Sequence, residues 1–182
     1  MQTTLVIHPQ DSSTDFLSVI YKDIPQCKVI TFGDKPTVNS EIIKHDRIIM
    51  LGHGSSSGLL SVNQFKNTKT GYIIDFSTVE LLREKECIFI WCNANNFVET
   101  NNLKGFYTGM FVSEVGESIW CGIESSKQDV YFSNNYFSTL LSKCINDNEL
   151  DIIYETIKES YGKLRNTNKV IFYNHQRLYL QK

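Results

Sequence analysis

The sequence has neither an excess of basic residues nor a long apolar run. Its formal net charge is −2 over 182 residues, which argues against a nucleic-acid footprint or a polybasic membrane patch. No apolar run approaches the roughly 20 residues that a membrane-spanning helix needs. The start of the chain lacks the charged and apolar segments of a signal peptide. We therefore expect no nucleic-acid partner, no membrane partner and a cytoplasmic location.

The cysteines show none of the spacings that mark a metal or redox site. There are five, an odd number, with no Cys-x-x-Cys pair among them. Without an export signal, reduced thiols are the expected state. Neither G-x-G-x-x-G nor G-x-x-x-x-G-K-[ST] occurs, so a nucleotide or phosphate binder has no motif to support it. We expect no metal and no organic cofactor.

The chain contains no repeat, low-complexity segment or linker rich in proline and glycine, and hydrophobic residues make up 41% of it. This length and composition suit one domain over residues 1–182. Strand patterns alternate with helix patterns, which predicts an α/β fold. We expect three layers, with a mostly parallel sheet and helices on both of its faces.

The hydrophobic pattern predicts the elements individually. We predict strands or extended segments at residues 3–7, 27–32, 47–51, 71–76, 87–91, 118–123 and 169–180. We predict helices that begin near Ser12 or Ser13, at a cap on Asn39 or Ser40, at Ser77, and over residues 130–144 and 149–161. The Asn-rich residues 93–109 are expected to form a long loop that gates the site.

Two short apolar runs each end in a residue with catalytic potential. Arg47–Leu51 is followed by Gly52 and His53, and residues 87–91 are followed by Cys92. In an open α/β sheet, chemistry lies beyond the carboxyl ends of the strands. A thiol needs a base or a positive neighbour to become a nucleophile near neutral pH, and imidazole can serve as either. The pattern therefore predicts a cysteine hydrolase.

These motifs resemble the caspase-like cysteine peptidases, and most closely the CHAT-domain type. The matching blocks are I-I-M-L-G-H-G, then D-F-S-T-V-E-L-L, then C-I-F-I-W-C-N-A-N, within a likeness that spans residues 46–160. The resemblance implies that Cys92 is the nucleophile and His53 the base. It also implies an oxyanion hole formed by the backbone N–H groups of Gly54 and Cys92. A protein or peptide would be the substrate, and an activating partner is compatible with this family.

Two acidic residues are candidates for recognising the substrate. Glu124 and Asp129 follow the predicted strand at residues 118–123, where pocket loops would lie. A carboxylate in the pocket would select a basic residue at P1, the position just before the scissile bond. The sequence thus favours cleavage after arginine or lysine.

Two other functions remain open. The residues around Ser56 match G-x-S-x-G, so Ser56, Asp151 and His175 could form a serine hydrolase triad in that order. The segment that follows shows no helical pattern, which disfavours a nucleophile elbow. The other alternative is a catalytically silent caspase-like module that acts by binding a partner.

Overall fold

A six-stranded, mostly parallel sheet forms the centre of the computed structural model, which describes residues 2–62, 65, 71–146 and 149–182. The strands, in chain order, are β1 (Thr4–Ile7), β2 (Lys28–Ile30), β3 (Arg47–Leu51), β4 (Gly54–Ser55), β5 (Gly58–Leu60), β6 (Tyr72–Ile74), β7 (Glu86–Ile90), β8 (Gly105–Thr108) and β9 (Leu178–Gln181). The main sheet has the order β2-β1-β3-β7-β8-β9, and a small sheet has the order β4-β5-β6. In the main sheet only β9 is antiparallel to its neighbour.

Helices cover both faces of the main sheet. They are α1 (Lys35–Lys44), α2 (Val79–Leu82), α3 (Ala94–Thr100), α4 (Val115–Trp120), α5 (Lys127–Cys144), α6 (Leu150–Gly162) and α7 (Lys169–His175), with 3₁₀ helices at Asp15–Tyr21 and Phe76–Thr78. One face packs against α1, α2 and α3, and the other against the first 3₁₀ helix, α5, α6 and α7. The predicted α/β fold, a mostly parallel sheet flanked by helices, is confirmed.

The central strand β3 shows why the sheet is buried on both sides. Successive side chains of a strand point to opposite faces. Ile48 and Met50 belong to the core cluster on one face, and Ile49 and Leu51 belong to the cluster on the other. A continuous apolar run is the pattern expected of a strand covered on both faces. Among the described residues, no helix combines the length and apolar character needed to cross a membrane.

The strand predicted at residues 118–123 is wrong, because this segment contains the second half of α4 and the turn after it. The Glu117 carboxylate accepts hydrogen bonds from the backbone N–H groups of Ser113 and Glu114. Such capping satisfies donors that the first turn of a helix leaves free. The apolar Ile119 and Trp120 are exposed, so their pattern does not reflect burial in a sheet.

The long loop predicted at residues 93–109 is also wrong, because the segment forms α3 and β8. Asn93 adopts a left-handed conformation, with φ of 64°, at the start of α3. Phe97 and Val98 of α3 are buried against the sheet. The many asparagines in this segment mask the apolar positions of α3 in the sequence pattern. Strand β8 is the fifth parallel strand of the main sheet, which the sequence pattern predicts at residues 118–123 instead.

The extended segment predicted at residues 169–180 is correct only at its end. Its first part is α7, where the Asn168 side chain accepts a hydrogen bond from Ile171 N and caps the helix. Strand β9 follows at Leu178–Gln181. Two further caps also differ from the prediction, since α1 is capped by Asp34, and Asp75 caps the 3₁₀ helix before α2.

Candidate active site

His53 and Cys92 each follow one of two neighbouring parallel strands. The last residues of those strands, Leu51 in β3 and Ile90 in β7, lie opposite each other in the sheet. Gly52 N donates a hydrogen bond to Ile90 O at 3.1 Å, which holds the two strand ends together. Both side chains line one small cavity of about 20 Å³. The structure therefore brings together the two residues in which the sequence predicts the chemistry.

The loop after β1 fixes one nitrogen of the His53 ring. His53 Nε2 lies 2.7 Å from Ser13 Oγ and 3.1 Å from Asp11 Oδ2. Ser13 Oγ donates its single hydrogen to Asp11 Oδ1 at 2.8 Å, so this oxygen can only accept from the ring. Nε2 therefore carries the proton of the neutral ring, and Nδ1 is the basic nitrogen.

Asp11 shapes its own loop as well as contacting the histidine. Its Oδ1 accepts hydrogen bonds from the backbone N–H groups of Ser13 and Thr14, a turn that side chains of this type commonly form. Partial burial by itself would raise the pKa of Asp11. The hydrogen bonds from Ser13 and the charge of His53 outweigh this effect, so the pKa of Asp11 lies below its usual value. Asp11 is therefore an ionised partner for His53 at neutral pH.

The Cys92 thiol makes its hydrogen bonds to another segment of the chain. Cys92 Sγ lies 3.4 Å from Phe111 O and 3.8 Å from Glu117 Oε1, two acceptors that share its single hydrogen. Burial, followed by the negative charge of Glu117, raises the pKa of Cys92 to about 12. In this conformation Cys92 is a protonated thiol at neutral pH, and its S–H group is directed to Phe111 O and Glu117 Oε1.

Glycine at position 54 is required by a close approach of Trp91. A Cβ atom on Gly54 would lie 2.1 Å from Trp91 Cδ1 and 2.6 Å from Gly58 O. Trp91 Nε1 also donates a hydrogen bond to Ser55 O at 3.0 Å. The segment after His53 is thus tied to the residue just before Cys92. The oxyanion-hole role of the Gly54 and Cys92 N–H groups stays a prediction.

A larger cleft opens beside the small cavity. Its volume is about 520 Å³, within the range of ligand sites in proteins. Ser113 lines both spaces, and Ser13, which contacts His53, lines the cleft. The first turns of α5 contribute Lys127 and Tyr131 to the opposite wall. His53 and Cys92 do not line the cleft, so a ligand bound there would be separated from them by Ser13 and Ser113.

The two acids predicted to bind the substrate have other partners. The Asp129 carboxylate accepts hydrogen bonds from Ser126 N and Oγ and caps α5. Glu124 is exposed and forms an ion pair with Lys169 at 3.0 Å. Neither side chain lines the small cavity or the cleft.

The three residues of the alternative serine triad are not brought together. Ser56 lies in the exposed turn between β4 and β5, so the chain turns from strand to strand there, whereas a nucleophile elbow turns from strand to helix. Asp151 pairs with Lys182 at 2.7 Å. His175 Nε2 lies 3.0 Å from Lys158 O.

His8, which directly follows β1, is completely buried near the same edge of the sheet. Its Nδ1 lies 3.1 Å from the Tyr21 hydroxyl, and its Nε2 has no hydrogen-bond partner among the described residues. Burial lowers the pKa of His8 to about 4. His8 is therefore a neutral ring at physiological pH.

Sequence reasoning did not assign Asp11 and Ser13 to this site. The signal for both is the D-S-S string after a strand that becomes the neighbour of β3. Glu117 is one of several acidic residues near the expected edge of the site, but nothing in its local pattern indicates a contact with Cys92.

No protein-family model matches this sequence, and no curated protein matches it.

Proposed function

We propose that this chain is a cysteine hydrolase that cleaves peptide bonds, as its resemblance to CHAT-type caspase-like peptidases implies. One observation carries the proposal. His53 and Cys92 follow adjacent parallel strands and line one cavity, and Asp11 and Ser13 anchor the base through Nε2. A nucleophile with a nearby base that is itself oriented by a third group is the general arrangement for covalent catalysis.

The hydrogen bonds of His53 Nε2 to Asp11 and Ser13 support a mechanism in which Nδ1 is the base. Nδ1 takes the proton from Cys92 Sγ, and the thiolate attacks the substrate carbonyl carbon. The N–H groups of Gly54 and Cys92 stabilise the negatively charged oxygen of the tetrahedral intermediate. Nδ1 then gives the proton to the leaving amine as the C–N bond breaks, and water hydrolyses the remaining thioester. Asp11 is a positioning residue that stabilises the ring while it carries two protons.

The described conformation corresponds to a resting state of such an enzyme. A cavity of about 20 Å³ holds roughly one water molecule, which is too little space for a peptide carbonyl group. The S–H group is bonded to Phe111 O and Glu117. Catalysis therefore requires the segment at residues 111–117 to shift so that the small cavity joins the cleft.

We do not propose a preference for basic residues at P1. That expectation depended on Glu124 and Asp129, whose carboxylates are engaged by Lys169 and Ser126. The cleft presents Lys127 and Glu114 instead, one of each charge. The substrate class we propose is an unstructured polypeptide that can lie extended along this cleft.

The test is cleavage of denatured casein, with the new termini mapped by mass spectrometry. The wild-type protein is compared with Cys92→Ala, His53→Ala and, as a matched control, Cys27→Ala, which removes a thiol from outside the small cavity and the cleft. We expect the wild type and Cys27→Ala to produce the same termini and the other two variants to produce none. Termini that persist in Cys92→Ala would refute a role for this thiol.

A silent binding module is the second candidate, and the environment of Cys92 favours it. A half-buried thiol with a pKa of about 12 beside a carboxylate is poorly suited to nucleophilic attack. On this alternative the wild type yields no termini beyond those of Cys92→Ala. The cleft would then bind a polypeptide without cleaving it.

A further inference from the structure

We propose that Glu117 restrains Cys92: its carboxylate and the Phe111 carbonyl group hold the S–H group, and removing the carboxylate frees the thiol to react. As far as the restraint regulates catalysis, this inference rests on the proposed function. The restraint itself acts on the thiol with or without a substrate. It therefore makes Glu117 a positioning residue that acts against the nucleophile.

Hydrogen bonds hold the Glu117 carboxylate firmly in place. Its Oε2 accepts from Ser113 N at 2.7 Å, from Ser113 Oγ at 3.1 Å and from Glu114 N at 3.0 Å. The other oxygen, Oε1, faces Cys92 Sγ at 3.8 Å. The carboxylate cannot turn away from the thiol without losing three hydrogen bonds, so its charge is fixed beside the sulfur.

The local charges decide which form of Cys92 is stable. Within the described part of the chain, the ionisable groups that face the thiol are Glu117 on α4, Cys121 directly after α4, and His53, which lines the same cavity. A fixed carboxylate repels a thiolate and accepts a hydrogen bond from a thiol. Glu117 therefore opposes the ionisation that His53 would promote.

The restraint also borders the cleft. Ser113, whose backbone and side chain both bind Glu117, lines the cleft and the small cavity alike. The carbonyl of Phe111, two residues earlier, is the other acceptor of the S–H group. The restraint is thus built from one short segment of the wall that separates the two spaces.

The experiment measures alkylation of Cys92 by iodoacetamide between pH 6 and pH 10, with peptide-level mass spectrometry. The key variant is Glu117→Gln, which keeps one acceptor oxygen but removes the charge. Glu114→Gln removes a neighbouring charge that does not contact Sγ. Ser113→Ala removes one hydrogen bond to Glu117 and leaves the charge in place, so it reports on loosening alone.

We expect Glu117→Gln to react about tenfold faster than the wild type at pH 8, the effect of roughly one pKa unit. Because the pKa of Cys92 is about 12, the rate should rise with pH throughout this range, with the curve of Glu117→Gln displaced to lower pH and both control variants near the wild type. Equal rates in the wild type and in folded Glu117→Gln would overturn the proposal. A rate in Ser113→Ala as high as in Glu117→Gln would also overturn it, because loosening would then suffice.

A second measurement needs only the wild type and Cys92→Ser. The infrared difference spectrum of the two isolates the S–H stretch of Cys92, and we expect the lower frequency of a hydrogen-bonded thiol. A band at the frequency of a free thiol would contradict the restraint even if Glu117→Gln does not fold. Faster alkylation in Glu117→Gln without casein cleavage by any variant would support the restraint and refute the peptidase proposal.

Discussion

Asp11 Oδ2 lies 3.1 Å from His53 Nε2, so a carboxylate from the loop after β1 contacts an imidazole from the loop after β3. Strands β1 and β3 are neighbours in the sheet, which is why two loops far apart in the sequence meet. The contact determines which ring nitrogen is basic. It also provides the most direct way to test His53 without replacing it.

Replacing Asp11 with Asn should weaken the base while leaving its loop intact. The Asn side-chain oxygen can still accept the bonds from Ser13 N and Thr14 N, but the negative charge beside His53 is lost. If His53 is the catalytic base, we expect kcat/KM for casein-derived peptides to fall about tenfold or more. The loss should appear in kcat more than in KM, because Asp11 lines neither the small cavity nor the cleft.

Asp11→Glu is the matched variant for this prediction, since it restores the charge. An Asp11→Asn protein with an unchanged kcat, or Asp11→Glu with a kcat as low as that of Asp11→Asn, would argue against an action of the Asp11 charge on His53.

Replacing Gly54 with Ala should destabilise the protein. The new methyl group would meet Trp91 Cδ1 at 2.1 Å, and such overpacking typically costs about 1–3 kcal/mol. Chemical denaturation gives the free energy of unfolding. Gly116→Ala is the control, because a Cβ atom there meets no other atom within 4 Å. Equal midpoints for the two variants would contradict the described packing of Trp91.

His8 should make the protein sensitive to mild acid. Its pKa is lowered to about 4 by burial, whereas an unfolded histidine titrates near 6.5. Between these values the unfolded chain binds a proton that the folded protein does not bind, so stability falls as the pH drops from about 6.5 to about 4. We expect a loss of about 2–3 kcal/mol from this group by pH 4.5.

His8→Phe keeps a ring of similar size but cannot titrate. The difference in unfolding free energy between the two proteins should therefore change between pH 8 and pH 4.5, in favour of the variant. Measurements at pH 8, where the histidine is neutral in both states, provide the reference. A difference that does not change with pH would argue against a buried neutral His8.

Thr108 should support the end of the strand that leads to Cys92. Its buried Oγ1 donates a hydrogen bond to Trp91 O at 2.9 Å. We expect Thr108→Val, of nearly the same shape, to lower the free energy of unfolding by about 1–2 kcal/mol because the carbonyl loses its partner. Thr167→Val, where the hydroxyl bond to Leu164 O is exposed, is the control and should cost less.

The sequence predicted the main sheet, and the position of His53 and Cys92 at one edge of it, better than it predicted the contacts that these two residues make. Continuous apolar runs identified β3 and β7, and the sheet rule then put His53 and Cys92 at one edge. Asp11 and Glu117 reach that edge from other segments, and no local pattern specifies such long-range contacts. The helix α4 depends on capping by Glu117, which outweighed the strand-like residues that follow it.

The indole hydrogen bond from Trp91 to Ser55 O joins the two strand ends, while Glu117 belongs to a helix of six residues outside the sheet. Parts of a protein that share few core contacts can open separately and at a lower free energy than the whole. In native-state hydrogen exchange, the amides of β3 and β7 should therefore exchange together and last. The amides of α4 should exchange earlier. The surroundings of the Cys92 thiol would then be the first part of the site to become accessible to solvent, and strands β3 and β7 would be the last part to unfold.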